Sequence, residues 1–415
     1  MRRVLLLVGP AVIFSTIAVL SRHRLAQTFV LREQKITAQL AAPPQTEVIA
    51  TQSLSVVPTT NISEDPEYAK LVDSVRPYEP NPRPPLKEVV DGWNITGDPQ
   101  WLMNFAIIAF PKCGTSTLMH YFDQNDEVQI HTDERCELGS NQHAKLIQAL
   151  YKDFPAGDYV RGIKCPRDLE GTSLGMNNYV KFFPKTDLIV GLRHPIKWFE
   201  SFYNHRVHNG MPMPHTSSLT GRCIKKTFGC CATRAMFHAF LANLGKVNMS
   251  DPEISDLVPK SMGRFNFPMQ GRIFVYDVQQ LSEPDEARAL EFRQTLQRFL
   301  RLRNPLPPMV WFKPQRKKPE EVVANRINKQ KIDICDEEHT KIRSVLMQHA
   351  VNASRWIRRY FVAHPDVHVA VPDAFHEILA GWETDPCENG SFHRASGAVN
   401  CTKYGCFMMT NQTRR

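Results

Sequence analysis

The length and charge of the chain limit the kind of protein it can be. It has 415 residues, 42% of them hydrophobic, which suffices for one large domain with extensions. The formal net charge of +9 favours an anionic partner. The sequence has neither zinc-finger spacing nor basic patches interleaved with aromatic residues, so we expect no nucleic-acid partner. Its histidines and cysteines form no metal-ligand pattern, so we also expect no metal site.

The N-terminal residues predict a membrane anchor. Residues 4–20 carry no charge and are flanked by arginines on both sides. This length is at the short end for a bilayer span. A signal peptide is the alternative, but no clean cleavage site follows. We predict a short tail and a signal-anchor helix over residues 1–24.

Glycosylation motifs and cysteines indicate a luminal body. Seven Asn-x-Ser/Thr sequons are spread along the chain, at Asn61, Asn94, Asn248, Asn352, Asn389, Asn400 and Asn411. Ten cysteines suit an oxidising compartment. The sequence therefore predicts a single-pass type II membrane protein.

Residues 25–100 predict a stem. They are rich in Pro, Ser, Thr and charged residues and poor in periodic apolar residues, so we expect them to be extended or disordered. The part from Trp93 to Trp101 is expected to dock on the domain that follows.

From residue 101 onward, strand-like and helix-like segments alternate. This pattern predicts a single α/β domain over residues 101–381, with a parallel sheet flanked by helices on both faces. Residues 382–415 are expected to form a tail that contains cysteines. The candidate strands cover 105–110, 159–163, 187–192 and 272–276, and the candidate helices cover 115–123, 141–152, 196–207, 232–244, 285–300 and 337–361.

The segment from Phe105 to Leu118 is the most informative one. An apolar run is followed by the turn Pro-Lys-Cys-Gly-Thr and then by a helix-like segment. A strand, a loop and a helix in this order form an anion-binding site from backbone N–H groups and the helix N-terminus. In a nucleotide triphosphatase loop the lysine follows the second glycine, whereas Lys112 precedes Gly114. The loop is therefore not of the Walker A type.

A second apolar run ends in Leu-Arg-His-Pro, and Ser201 follows Arg193 by eight residues. Arginine offers a planar fork to a phosphate, and a helix hydroxyl can add another donor. Kinases and ATPases place a magnesium-binding aspartate at the end of such a strand. The two segments together resemble the 5′-phosphosulfate loop and the 3′-phosphate site of sulfotransferases that use 3′-phosphoadenosine 5′-phosphosulfate (PAPS), and in particular their Golgi membrane-bound, carbohydrate-type branch.

The resemblance implies a P-loop-like sheet and PAPS as co-substrate without a required metal. The donor-binding residues it implies are Pro111, Lys112, Cys113, Gly114, Thr115, Ser116, Thr117, Arg193 and Ser201.

It also implies three catalytic residues. Lys112 would support the leaving phosphate. Glu134 would act as the base for the acceptor proton, with Glu137 and His131 as alternatives. Lys164, in a Lys-Cys-Pro segment where the family often has Lys-Ser/Thr-Pro, would position the acceptor and the sulfuryl group.

Two further features leave alternatives open. The basic run at 312–318 is either a loop that closes over PAPS, a solvated loop or an acceptor-binding surface. Among the cysteines, local spacing favours Cys223 with Cys230 or Cys231, and Cys387 with Cys401 or Cys406, whereas Cys113 is expected to be a free thiol.

The expected function is O-sulfation of a glycan or glycoprotein acceptor in the Golgi lumen. One alternative is transfer to protein tyrosine, which shares the donor site and the compartment. Another is a nucleotide-binding or lectin-like protein that has kept the fold and lost the activity.

Overall fold

The computed structural model describes residues 66–75, 79–171, 173–259, 266–311 and 330–388, and the backbone of 399–402 and 405–408. Outside these ranges lie the predicted anchor, the sequons at Asn61, Asn389 and Asn411, and the basic run at 312–318. For the sequon at Asn400 only the backbone is described. Within the described ranges, every helix is too short or too polar to cross a bilayer.

A six-stranded parallel sheet forms the centre of the domain. Its strands are β1 (Phe105–Ile108), β2 (Val128–Ile130), β3 (Val160–Cys165), β4 (Asp187–Leu192), β5 (Ile273–Asp277) and β6 (Val367–Val369), in the spatial order β2-β3-β1-β4-β5-β6. The chain thus runs from β1 to the edge strand β2, returns to β3 between them, and then continues outward on the other side of β1 through β4, β5 and β6. The crevice beside β1, at the carboxyl ends of the strands, is the topological switch point where such sheets bind ligands.

Eight longer helices of the described residues accompany the sheet. They are α1 (Pro66–Val75), α2 (Thr115–Phe122), α3 (His143–Asp153), α4 (Ser173–Phe182), α5 (Pro195–His208), α6 (Glu286–Leu300), α7 (Thr340–Trp356) and α8 (Pro372–Ala380). Shorter α-helices cover Leu86–Val89, Phe237–Leu241 and Pro252–Ser255. Two small antiparallel pairs join Val90–Asp91 to Asn94–Ile95 and Val399–Thr402 to Gly405–Met408.

Both faces of the sheet are covered, as the sequence predicted. Side chains alternate along β1, so that Phe105 and Ile107 pack on the α2 and α6 side, whereas Ala106 and Ile108 pack on the α3, α5 and α7 side. All four are fully buried, which explains why this strand reads as a continuous apolar run. Burial of a large apolar side chain contributes about 1.5–3 kcal/mol. The predicted α/β fold class is confirmed.

Some predicted elements need correction. The structure adds β2, β6, α4 and α8, which the sequence did not reveal. The predicted helix over 232–244 is divided into a 3-10 helix (Ala232–Ala235), a short α-helix (Phe237–Leu241) and another 3-10 helix (Ala242–Leu244), because Met236 has a non-helical ψ of 63°.

Part of the chain assigned to the stem is folded against the domain. In α1, the Tyr68 hydroxyl donates to the carbonyl oxygen of Leu302 at 2.8 Å. Glu79 forms an ion pair with Arg161 of β3 at 2.7 Å, and Arg161 is fully buried. The domain bounds drawn from the sequence stay predictions, but residues before 101 contribute to this packing.

Three disulfides connect the described cysteines. Cys223 bonds to Cys231, one of its two predicted partners. The prediction for Cys387 is wrong, because it bonds to Cys335, whose segment is held beside it by an ion pair between Arg343 and Asp385. Cys136 bonds to Cys165, a pair that the sequence did not indicate. Cys113 is a buried free thiol, as predicted.

Candidate active site

The loop between β1 and α2 has an unusual backbone. Ala109 (φ 76°), Lys112 (φ 71°) and Gly114 (φ 81°) all have left-handed conformations. Two of these are not glycine, and each such residue costs of order 1–3 kcal/mol. At Gly114 a Cβ atom would lie 2.3 Å from Cδ1 of Leu281, so that a side chain there would require Leu281 to move. Strain of this kind is typical of ligand-binding loops.

Three donors hold three consecutive carbonyl oxygens of this loop. Trp198 Nε1 donates to Pro111 at 2.8 Å, Arg193 Nη1 donates to Lys112 at 3.2 Å, and the Tyr276 hydroxyl donates to Cys113 at 2.8 Å. The N–H groups in the first turn of α2 have no intrahelical acceptors and carry the positive end of the helix dipole. With its carbonyls engaged elsewhere, the loop suits a bound anion.

Gly191 of β4 makes one of these contacts possible. A Cβ atom there would lie 2.5 Å from the Tyr276 hydroxyl and 2.7 Å from the Cys113 carbonyl oxygen. Any side chain would therefore separate the two groups that hydrogen-bond across this position. Neither Tyr276 nor Trp198 was identified from the sequence, since only the folded sheet brings them to the loop.

Arg193 directly follows β4 and lies half-buried beside the loop. Burial lowers the pKa of its guanidinium, but the thiol of Cys113 and the carboxyl of Asp277 oppose that shift, and arginine keeps its charge in proteins. Among the described residues its hydrogen bond to Lys112 uses one of its five N–H donors, so others can bind a phosphate.

Two buried groups lie close to this arginine. Asp277 ends β5 and pairs in register with Leu192. Burial raises the pKa of its carboxyl to about 6, while a backbone hydrogen bond from Gln279 and the charge of Arg193 act in the opposite direction. Burial also raises the pKa of the Cys113 thiol well above its ordinary value, so this cysteine is a neutral packing group.

Lys164 connects the loop helix to the predicted base. Its side chain is almost completely buried, and Nζ donates to Ser116 Oγ and to Glu134 Oε1, each at 2.9 Å. Within the described part of the chain these are two of its three N–H donors. Glu134 is half exposed, so the ion pair itself adds little stability. The ion pair places a carboxylate and an ammonium group next to the first turn of α2.

The other two candidates for the base have different partners. Glu137 pairs with Arg135 at 2.9 Å. His131 lies 3.2 Å from Asp153 and packs against Phe154, and burial lowers the pKa of its imidazole. The contacts therefore bring Glu134, rather than Glu137 or His131, to Lys164.

The remaining predicted donor residues occupy the loop and the start of two helices. Thr115 and Thr117 are buried in α2, and Ser116 is half-buried there. Ser201 is half-buried on α5, and its hydroxyl forms no hydrogen bond with another residue in the described part of the chain. The structure thus brings together the loop, Arg193, Lys164 and Glu134, while Ser201 lies on the helix that Arg193 precedes.

Comparison with known proteins finds similarity only among solved structures. No protein-family model matches the chain, and no curated protein matches it. Among solved structures it is similar to the crystal structure of a sulfotransferase from Alicyclobacillus acidocaldarius, with 13% identity over 62% of this chain and 96% of that chain, and a TM-score of 0.39. At this level of similarity, the function has to be argued from the site itself.

Proposed function

We propose that the protein is a sulfotransferase that moves the sulfuryl group of PAPS onto a hydroxyl of a carbohydrate acceptor. The observation that carries the proposal is the convergence at one sheet edge of a strained anion-binding loop, a half-buried arginine and the Lys164–Glu134 pair. The two sequence motifs single out the loop and Arg193, and the resemblance adds Lys164 and Glu134.

The residues of the site fit such a donor. The 5′ side of PAPS would bind at the loop and the N-terminus of α2. The 3′-phosphate would bind Arg193, together with Ser201 on α5, the helix that follows Arg193. PAPS supplies an activated sulfuryl group whose leaving group is a phosphate. Lys112 and the helix N-terminus would stabilise the charge that develops on that phosphate.

Glu134 and Lys164 would serve the acceptor side. Glu134 accepts the proton of the acceptor hydroxyl. At the same time the oxygen of that hydroxyl forms a bond to sulfur, and the bond from sulfur to the phosphate oxygen breaks. Lys164 holds Glu134 and the first turn of α2 together through its two hydrogen bonds, so base and loop keep a fixed separation.

The cellular setting is part of the same proposal. A type II protein anchored through residues 4–20, with its domain in the Golgi lumen, would meet glycan and glycoprotein acceptors. Three disulfides support an oxidising compartment. Three sequon asparagines in the described part, Asn94, Asn248 and Asn352, are not buried.

The test is transfer of radiolabelled sulfate from PAPS to a panel of glycans and peptides. Lys112→Ala should lower kcat by about 100-fold or more, because it removes a cation that supports the leaving group. Lys185→Ala is the matched control, since Lys185 is exposed and precedes β4 at the opposite edge of the sheet. Wild-type protein that fails to bind adenosine 3′,5′-bisphosphate would rule the proposal out. Binding without transfer to any acceptor would favour an inactive member of the fold, and transfer to peptides alone would favour tyrosine as the acceptor.

A further inference from the structure

A cavity of about 530 Å³ lies beside the site and contains more positive than negative side chains. Its lining includes the arginines Arg167, Arg206 and Arg234 and the acids Asp168 and Glu170. Burial raises the pKa of Asp168 to about 7, so this carboxyl is not fully charged at neutral pH. The lining therefore carries a net positive charge.

The segments that build the site also build this cavity. Cys136 lines it, two residues after Glu134, and Arg167 lines it, three residues after Lys164. Arg206 lies on α5, the helix that follows Arg193. The cavity thus shares its wall segments with the site, next to the residues that carry Glu134 and Lys164.

Ring contacts connect the cavity to the loop as well. Phe240 lines the cavity and packs against Phe110, whose ring centroid lies 5.8 Å away. Phe110 directly precedes the loop proline. Arg234 lies over the ring of Trp198, at 6.0 Å from its centroid, and Trp198 is the side chain that holds the Pro111 carbonyl.

The three arginines differ in what they contact. Arg234 forms a two-pronged ion pair with the buried Glu170, so its charge is neutralised within the wall of the cavity. Arg206 and Arg167 form no ion pair with any residue in the described part of the chain. Arg206 is held in place over the ring of Phe202, at 4.7 Å from its centroid, and its Nε is buried without a hydrogen-bond partner. A buried guanidinium donor of this kind is satisfied when a ligand supplies an acceptor.

The cavity also offers apolar surface. Phe228 and Phe240 both line it and are half-buried. Phe228 has a left-handed backbone with φ 51°, at the C-terminal end of the 3-10 helix Lys225–Thr227. Aromatic faces beside a few charged groups are typical of pockets that bind small polar ligands.

We propose that this cavity binds the acceptor sugar, and that Arg206, assisted by Arg167, binds an anionic substituent of it, either a carboxylate or a sulfate ester. This proposal rests on the proposed function, which it makes more specific: the enzyme acts on glycans that are already acidic. Planar guanidinium groups match both kinds of oxyanion.

The test compares three oligosaccharides of the same length: a neutral one, one that contains a uronate, and one that contains a sulfate ester. Wild-type protein should have a KM at least tenfold lower for one or both acidic acceptors. Arg206→Gln should remove that advantage by raising the acidic KM about tenfold or more, since a charge-assisted hydrogen bond is lost. The KM for PAPS and the KM for the neutral acceptor should stay within about twofold.

Two further variants separate recognition from folding. Arg167→Gln should act in the same direction with a smaller effect, and it is safe for folding because Arg167 is exposed. Arg359→Gln is the matched control. Arg359 is 70% exposed and pairs with Glu253, and neither residue lines the cavity. Thermal melts of all variants identify any loss of folded protein.

Several outcomes would overturn the proposal. One is an Arg206→Gln variant that resembles the Arg359→Gln control on every acceptor. Another is wild-type protein that prefers the neutral oligosaccharide, or that binds an acidic peptide and none of the oligosaccharides. Calorimetric titration of the same oligosaccharides without donor keeps the two proposals apart: wild-type protein that binds the acidic sugar through Arg206 but does not bind adenosine 3′,5′-bisphosphate would refute the sulfotransferase and support the anion site.

Discussion

Glu134 is held at the site by its neighbours in the chain as well as by its side-chain bond to Lys164. The backbone N–H of Arg135 donates to the carbonyl oxygen of Lys164 at 2.9 Å, and Cys136 is bonded to Cys165. Glu134 thereby lies beside the end of β3 with half of its side chain exposed. A carboxylate that is fixed by its backbone and open to solvent on one side can meet an incoming acceptor.

Glu134→Gln should lower kcat by about 100-fold or more while leaving the affinity for adenosine 3′,5′-bisphosphate unchanged, because the base is lost and the donor loop is not. Glu137→Gln and His131→Gln are the comparison variants, and each should keep kcat within about tenfold of wild type. Steady-state transfer assays and calorimetry provide the two readouts. A larger loss in Glu137→Gln or His131→Gln would assign the base to that residue.

The choice among these three residues could not be made from the sequence. Each lies in the same short segment after β2, and spacing alone does not tell which one turns toward the loop. The decisive contacts join Glu134 to Lys164 and Lys164 to Ser116, across 30 and 48 residues of chain. Contacts of this range depend on the folded sheet. Lys112 and Arg193, by contrast, could be identified because each follows an apolar strand whose end lies at the site.

At the scale of elements, the disulfide between Cys136 and Cys165 gives a role to the cysteine of Lys164-Cys165-Pro166. The sequence alone did not indicate this role. In the structure that cysteine joins the end of β3 to the segment that carries Glu134. Cys165 therefore adds a covalent connection next to the proposed base.

Replacing both cysteines by serine should lower stability and kcat together. The bond closes a loop with a sequence separation of 29, for which chain entropy gives about 3–4 kcal/mol. Glu134 would lose its fixed position, so kcat should fall by about tenfold or more even where the variant is fully folded. Binding of adenosine 3′,5′-bisphosphate should persist, since the donor loop does not contain this bond.

The matched control is the double serine variant of Cys335 and Cys387. The sequence separation of this disulfide is 52, so the variant should lose slightly more stability than the first one. Because the bond lies in the region of α7 and α8, kcat should be unchanged. Transfer assays below the melting temperature of both variants compare them directly. Equal losses of kcat in the two variants would mean that the disulfide near Glu134 acts only through stability.

Secondary structure could be predicted where elements are long or strongly apolar. The strand over 187–192 was predicted at the bounds that the structure shows, because six consecutive buried residues leave a clear signal. Strands β2 and β6 have three residues each, which is too short for alternation to be recognised. Both are edge strands, and their place in the sheet depends on pairing with β3 and β5.

At the scale of the whole molecule, strand order determines where the chemistry lies. Strand β1 has β3 on one side and β4 on the other, with Ile108 in register with Cys165 and with Val190. The loop after β1, Lys164 on β3 and Arg193 after β4 are therefore neighbours, although they are far apart in the sequence. The order of the motifs in the sequence predicted that the loop and Arg193 lie together. The arginines of the cavity could not be predicted, since they belong to no motif.

The whole domain also depends on residues before 101. Arg161 is fully buried in β3, and its Nη2 donates to Glu79 at 2.7 Å and to the carbonyl oxygens of Pro155 and Gly157. Arg83 also pairs with Glu79, at 2.8 Å, and lies over the ring of Tyr151. A chain that begins after these residues would leave Arg161 without its carboxylate.

We therefore expect a chain that begins at residue 95 to be less stable than one that begins at residue 66, both ending at Arg415. Removal of one partner of a buried ion pair costs about 3–5 kcal/mol, because a charge is left unpaired in the interior. A third chain that begins at residue 79 separates the contribution of α1 from that of Glu79, and Glu79→Gln in the longest chain removes the charge while keeping the packing. Urea unfolding gives the free energies. If the chains that begin at 79 and 95 unfold at the same urea concentration, Glu79 does not stabilise Arg161, and the domain folds independently of the segment before residue 95.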